Sequence, residues 1–267
     1  FTSNEPTHTP PAPASAPASA SASAPLPLRG FVNRWLDTFA IDARSLAAFR
    51  IAIGALLLAD IFLCLGDLRA HYTDFGVMPR AVLIENFSSP WEWSVFLVNG
   101  TALWQWLMFG LAGVSAFCLM IGYRPRLAVF LSWVFLVSSQ HRNFMVLQGG
   151  DVLFRMLLFW SLFLPLGAAW SVDRKGASTF SALRIRNMAT FAILTQMIFV
   201  MFFTALHKTD PSWSIEGTAV YYALMIDQFA TPLTPLLLQA PWLMKLLTLS
   251  TYYVQKYGVW IAFMPLG

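Results

Sequence analysis

Charged residues are scarce in this chain: they make up 11% of its 267 residues, about half the share usual in a soluble globular domain, against 57% hydrophobic residues. That balance excludes a water-solvated globular fold and places the chain in lipid. Cysteine is nearly absent too. Cys64 and Cys118 both fall inside apolar runs, so they read as small buried hydrophobes and supply neither a disulfide framework nor a metal pair. No phosphate loop, nucleophile elbow or zinc-binding spacing occurs, which removes those routes to nucleotide, acyl-transfer and zinc chemistry. The net charge of +4 sits mostly in short connections, where it reports orientation in a membrane and not affinity for nucleic acid.

What the chain has in quantity is uninterrupted apolar sequence. Runs of roughly 18–22 residues match the ~20 residues a helix needs to cross ~30 Å of hydrocarbon. They are apolar on every side, whereas a barrel strand would alternate. The expected fold is therefore all-α: a polytopic transmembrane helical bundle of about six spans, at 46–65, 101–122, 126–140, 152–170, 188–206 and 242–263. A further apolar region, 218–240, is broken by Pro232 and Pro235, with Pro241 just beyond. It predicts a re-entrant or interfacial helical region made of two short helices.

Residues 1–28 are rich in Pro, Ala and Ser and bury too little to offset their ordering entropy, so a disordered tail is expected ahead of a membrane domain at 29–267. The tail lacks the apolar stretch of a signal peptide, and a chain opening on Phe1 is expected to begin inside a longer product. The short amphipathic segment Phe31 to Phe39, with Arg34 and Asp37, suits the interface, as do Trp91, Trp93, Trp104 and Trp106. Basic residues set the orientation. Arg29, Arg34, Arg44, Arg124, Arg126, Arg174, Lys175, Arg184 and Arg186 fall on one side of the bundle, and only Arg69, Arg80, Arg142 and Lys208 on the other. The positive-inside rule then puts the N-terminus in the cytoplasm.

With that orientation, His71, Asn143, Asp151, His207, Lys208, Asp210 and Glu216 all lie at the outer ends of their spans, either sharing one cavity or simply furnishing polar connections. The tract 202–222, FFTALHKTDPSWSIEGTAVYY, is the most informative. Its Lys208 reads either as an interfacial anchor or as a desolvated amine whose lowered pKa suits a general base. His207, Asp210, Trp213, Glu216 and Tyr221 are its candidate neighbours. In the second tract, HRNFMVLQGGDVLFR at 141–155, Asp151 reads as a helix cap paired with Arg155. Alternatively His141, Asn143, Gln148 and Asp151 line a cavity wall. Arg50 is expected to be structural, and Asp60, deeper in the same span, to pair with an arginine. His71, His141 and His207 share a side on which a three-histidine metal site would be geometrically allowed, but no ligand-like spacing links them, so no metal site is expected.

Four segments carry a family resemblance: DARSLAAFRIAIGALLLADI at the first span, GYR at 122–124, AWSVDR at 169–174 and FFTALHKTDPSWSIEG at 202–217. Together they resemble the horizontally transferred transmembrane (HTTM) domain family, which includes the membrane domain of vitamin K-dependent gamma-carboxylase. In the carboxylase the second residue of the basic pair is the lysine that deprotonates the reduced vitamin, and Lys208 holds the matching position. The resemblance thus implies a lipid-soluble quinol of the vitamin K or menaquinone type as cofactor, oxygen as co-reactant and an epoxide as product. It also implies a functional histidine after the third span, where His141 lies nearby and Phe144 fits the register as well. Other members mature a secreted peptide, so a secreted or membrane-bound peptide is an implied partner alongside membrane lipid. A non-catalytic maturation or export role is one alternative, and a metal-dependent membrane enzyme using the outer-face histidines is the other.

Overall fold

The structure, a computed structural model, describes residues 37, 39–86, 92–173, 184–227 and 230–264. The expected disordered tail, most of the segment from Phe31 to Phe39, and Trp91, Arg174 and Lys175 lie outside them.

Apart from one pair of two-residue strands, the described secondary structure is helical. Three helices are long and apolar enough to cross a membrane: α1 (Ala43–Gly66), α4 (Ala102–Ile121) and, later in the chain, α7 (Met188–His207). At 1.5 Å per residue, the 20 residues of α4 or α7 span about the hydrocarbon thickness. Side chains such as Phe62, Leu63 and Leu103, each at least 75% exposed, point away from the bundle, as lipid-facing residues must. Between α1 and α4 lie two short helices, α2 (Leu68–Tyr72) and α3 (Arg80–Asn86). Helix α5 (Pro125–Arg142) follows α4 after a tight turn, and α6 (Gly149–Ser161) follows α5.

The core lies where α1, α4, α5 and α6 meet, on Leu46, Ile53, Leu57, Leu119, Val129 and Leu158. Gly54 makes the α1–α4 contact possible: a Cβ there would lie 2.7–2.9 Å from the backbone and Cβ of Met120. Small residues give membrane helices this close approach, since apolar burial from water does not drive their association.

The span expected at 152–170 is shorter as a helix. Helix α6 stops at Ser161 because Pro165 has no N–H to continue the ladder and disfavours a helical residue before it. The chain then winds through turns to Trp170. Strands β1 (Ile41–Asp42) and β2 (Arg184–Ile185) pair antiparallel and tie the entry of α1 to that of α7. Asp37 and Arg186 form an ion pair beside them.

Beyond α7 come α8 (Pro211–Ser214), α9 (Ala219–Leu224) and α10 (Thr234–Leu238), all short. The region 218–240 thus contains two short helices, as its prolines predict. Helix α11 (Pro241–Lys256) and a 3-10 segment (Gly258–Phe263) occupy the expected stretch 242–263 and pack back on α7.

Candidate functional site

The end of α7 is built residue by residue from the 202–217 tract. Ala205 is buried against the bundle, and the helix terminates at His207. Asp210 caps α8: its carboxylate accepts the Ser212 N–H at 2.8 Å, with Pro211 as first helical residue. Those contacts hold the Asp210 carboxyl below its ordinary pKa, with Ser212 as the cause. The short helix swings Trp213 under Lys208, whose Nζ sits 4.0 Å from the ring centroid. Nζ also donates to Gln255 Oε1 at 2.7 Å, a residue of α11. Gln255 Nε2 in turn donates to Met201 Sδ at 3.8 Å, about two turns back along α7. Burial pushes the Lys208 amine below its ordinary pKa.

Gly217 closes this unit. Its φ of +72° is left-handed, and a Cβ there would stand 2.6 Å from Lys245 Cγ, so the Glu216–Gly217 step is a turn that only glycine makes cheaply. Val220 N–H then donates to Thr248 Oγ1 at 3.1 Å, docking α9 on α11. Glu216 is exposed and accepts from Thr218 Oγ1 at 3.3 Å, and Tyr221 packs on Tyr222. His207 is exposed, with Nδ1 2.8 Å from the Phe203 carbonyl of its own helix.

Hydrogen bonding places the remaining candidates in a second group, on α2, α5 and α6. Asn143 is buried and donates to the His71 carbonyl at 3.2 Å. His141 Nδ1 lies 3.1 Å from the Trp93 carbonyl. Asp151 accepts the Gln148 N–H at 2.7 Å, closing the first turn of α6 as a cap. Arg142, fully buried, donates to the carbonyls of Thr73 (3.1 Å) and Met78 (3.0 Å) and lies 3.9 Å from Asp74. Asp74 is also held by Arg80 at 2.9 Å, and that hydrogen bond keeps its carboxyl below the usual carboxylate range. Among the described residues no three His, Cys, Asp or Glu side chains gather as metal ligands.

Between α6 and α7 runs an apolar groove of about 1440 Å³. It extends from Asn187 and Met188 at one end of α7 to Phe203 and Thr204, one turn short of His207. Partway along it, Trp160 Nε1 donates to Gln196 Oε1 at 2.7 Å, and the nearby Thr195 hydroxyl is buried without a partner among the described residues. Sequence reasoning missed Gln255 and this groove. Gln255 was visible as a lone polar amide in the aromatic stretch TYYVQKYG, but its pairing with Lys208 joins positions 47 residues apart.

The other resemblance segments assemble at the opposite end of the bundle. Arg50, fully buried in α1, donates to the carbonyls of Leu166 (2.9 Å), Ala169 (3.4 Å) and Trp170 (2.5 Å). The Ser171 hydroxyl donates to the Gly122 carbonyl at 2.5 Å, and the Arg124 N–H to the Asp173 carboxylate at 2.5 Å. The FRIAIG, GYR and AWSVDR segments are thus one structural junction. Arg50 saturates carbonyls freed where α6 ends early, as expected of a structural arginine.

An all-helical bundle with membrane-length apolar helices, carrying a lysine at the end of one of them, defines a helical membrane protein. The HTTM domain model matches residues 39–264, nearly the whole chain, and the chain belongs to that family. No curated protein and no solved structure matches it.

Proposed function

We propose that this protein is a membrane-embedded, quinol-dependent enzyme in which Lys208 is the base, working in a bundle that crosses the membrane about six times with Lys208 near the outer face. The observation that carries the reading is the setting of Lys208: an amine at the end of membrane-length α7, shielded by Trp213, hydrogen-bonded to Gln255 and held below its ordinary pKa by burial. A desolvated amine spends more of its time neutral, and only the neutral form takes a proton from a quinol hydroxyl. The family's tie to the gamma-carboxylase membrane domain supports a reduced quinone of the vitamin K or menaquinone type as the group supplying the redox chemistry. The groove along α7 supports it independently, because its apolar walls suit an isoprenoid tail arriving from lipid. Gln255 orients the amine, Trp213 keeps water from it, and the exposed His207 stands between the groove's mouth and Lys208 in sequence. A peptide as final substrate, modified through the base generated from the quinol, is the class of reaction the family suggests.

One observation favours the rival, a non-catalytic maturation or export partner: the Trp213 face and the Gln255 oxygen both stabilise an ammonium, as an anchoring lysine would use them. Oxygen uptake and quinone-epoxide formation in lipid nanodiscs, with reduced menaquinone or vitamin K, separate the two. Turnover by the wild type, lost in both Lys208→Ala and Lys208→Arg, supports the base, since a guanidinium stays charged. Background rates from all three proteins, with Lys208→Arg still supporting peptide maturation, support the anchor.

A further inference from the structure

The junction at the α4–α5 turn leaves a second, smaller cavity of about 460 Å³ that plays no part in the Lys208 site. It is lined by Arg124, Arg126 and Leu127 from the turn and the start of α5, and by Pro165, Leu166 and Ala168. We propose that this cavity binds the headgroup of an anionic phospholipid, with one acyl chain laid along α5.

Charge complementarity is the first argument. Both arginines are exposed, and among the described residues neither guanidinium forms an ion pair. Asp173 accepts the backbone N–H of Arg124 through Oδ2, and the Arg124 guanidinium rests 5.8 Å from the centroid of the Tyr123 ring. Two exposed cations among the residues that line an apolar cavity, at the end of membrane-length α4, recognise an anionic group attached to a hydrocarbon. The second argument distinguishes a lipid from free phosphate. Leu127, Phe130 and Leu131 stand at i, i+3 and i+4 on α5 and are 49%, 48% and 36% exposed, so an apolar stripe leads from the cavity along the helix. A free anion has no use for that stripe, whereas an acyl chain covers it. The third is rigidity. Ser171 and Asp173 pin the turn from one side, and Arg50 pins the facing 166–170 segment, so both walls of the cavity are held in place without a ligand. Its volume falls in the ordinary range for small-molecule sites.

The test is native mass spectrometry of the protein released from nanodiscs that contain equal amounts of phosphatidylglycerol and phosphatidylcholine. The wild type is expected to retain phosphatidylglycerol about tenfold over phosphatidylcholine, from two cations at the headgroup. The double variant Arg124→Gln/Arg126→Gln is expected to lose that preference, while Arg69→Gln, at the other end of the bundle, keeps it. Equal retention of the two lipids by the wild type overturns the proposal without any variant, so misfolding of the double variant cannot shelter it. Unchanged preference in a folded double variant overturns it too. Displacement of the retained lipid by millimolar inorganic phosphate would show a bare anion site and exclude the acyl-chain contact.

Discussion

Two cations at opposite ends of the bundle, Arg50 and Lys208, are used in opposite ways. At the α4–α5 end, Arg50 is fully enclosed and spends its two terminal nitrogens on three backbone carbonyls. At the end of α7, Lys208 is partly exposed and has one side-chain acceptor and one aromatic face. A guanidinium that cannot deprotonate in proteins is suited to closing backbone, and an amine with spare valence and a lowered pKa is suited to moving a proton. Arg50 is architecture, as Arg142 is at the other end, and Lys208 is the cation left with room for chemistry.

That contrast predicts its largest effect at Arg50. Arg50→Leu removes the donors that satisfy Leu166, Ala169 and Trp170 while leaving those carbonyls enclosed, at a cost of roughly 3–5 kcal/mol. The expected outcome is a fall of roughly 10 °C in the apparent Tm in detergent. Lys208→Met, of similar length, is expected to shift Tm by far less. If the two variants melt together, the division between Arg50 and Lys208 is wrong.

Gly217 comes next. Gly217→Ala forces a side chain into the left-handed region, costing about 1–2 kcal/mol, and pushes on Lys245. Because this turn returns the chain to α11, which carries Gln255, the variant is expected to lose quinol turnover together with a few degrees of Tm. A turnover loss with unchanged Tm would place the effect in the site alone and contradict the turn argument.

How much of this was legible in the sequence follows from which interactions are local. The apolar runs of α1, α4 and α7 announced themselves, because a helix that crosses a membrane satisfies its own backbone and needs only length and composition. The structural role of Arg50 was legible from cost alone, though not its partners 116–120 residues away. Asp151 behaves as the cap its position beside two glycines suggested. The early end of α6 was readable at Pro165 but was masked by the apolar residues that continue past it. The polar residues near the helix ends were legible too, but not their partners: Asn143, His141 and Asp151 bond to the His71 and Trp93 carbonyls and the Gln148 N–H, while Lys208 meets Trp213 and Gln255. Sequence places residues at a depth, and only helix rotation and tertiary pairing decide which of them meet.

Asn143 sharpens the division between these two groups at smaller scale. Asn143→Ala removes its part-buried hydrogen bond to the His71 carbonyl, worth about 1 kcal/mol. A Tm lower by 2–4 °C with quinol turnover unchanged is the expected result. Loss of turnover at constant Tm would rejoin the two groups into one site and refute their separation.

The smallest effect is the most diagnostic, because its sign is fixed by physics. A lysine base is active when neutral, so turnover rises with pH through the Lys208 pKa, which burial has already lowered. The Trp213 face stabilises the ammonium, by about 0.5–1 kcal/mol for a partly exposed pair, and so raises that pKa against burial. Trp213→Leu keeps an apolar side chain over the amine but removes the ring, so the rising limb of the pH–rate profile is expected to move to lower pH. Trp213→Ala instead admits water to the amine, relieves desolvation and is expected to move the limb upward. Opposite displacements by the two variants identify Lys208 as the titrating base, whereas a profile that neither variant moves assigns the titration to some other group.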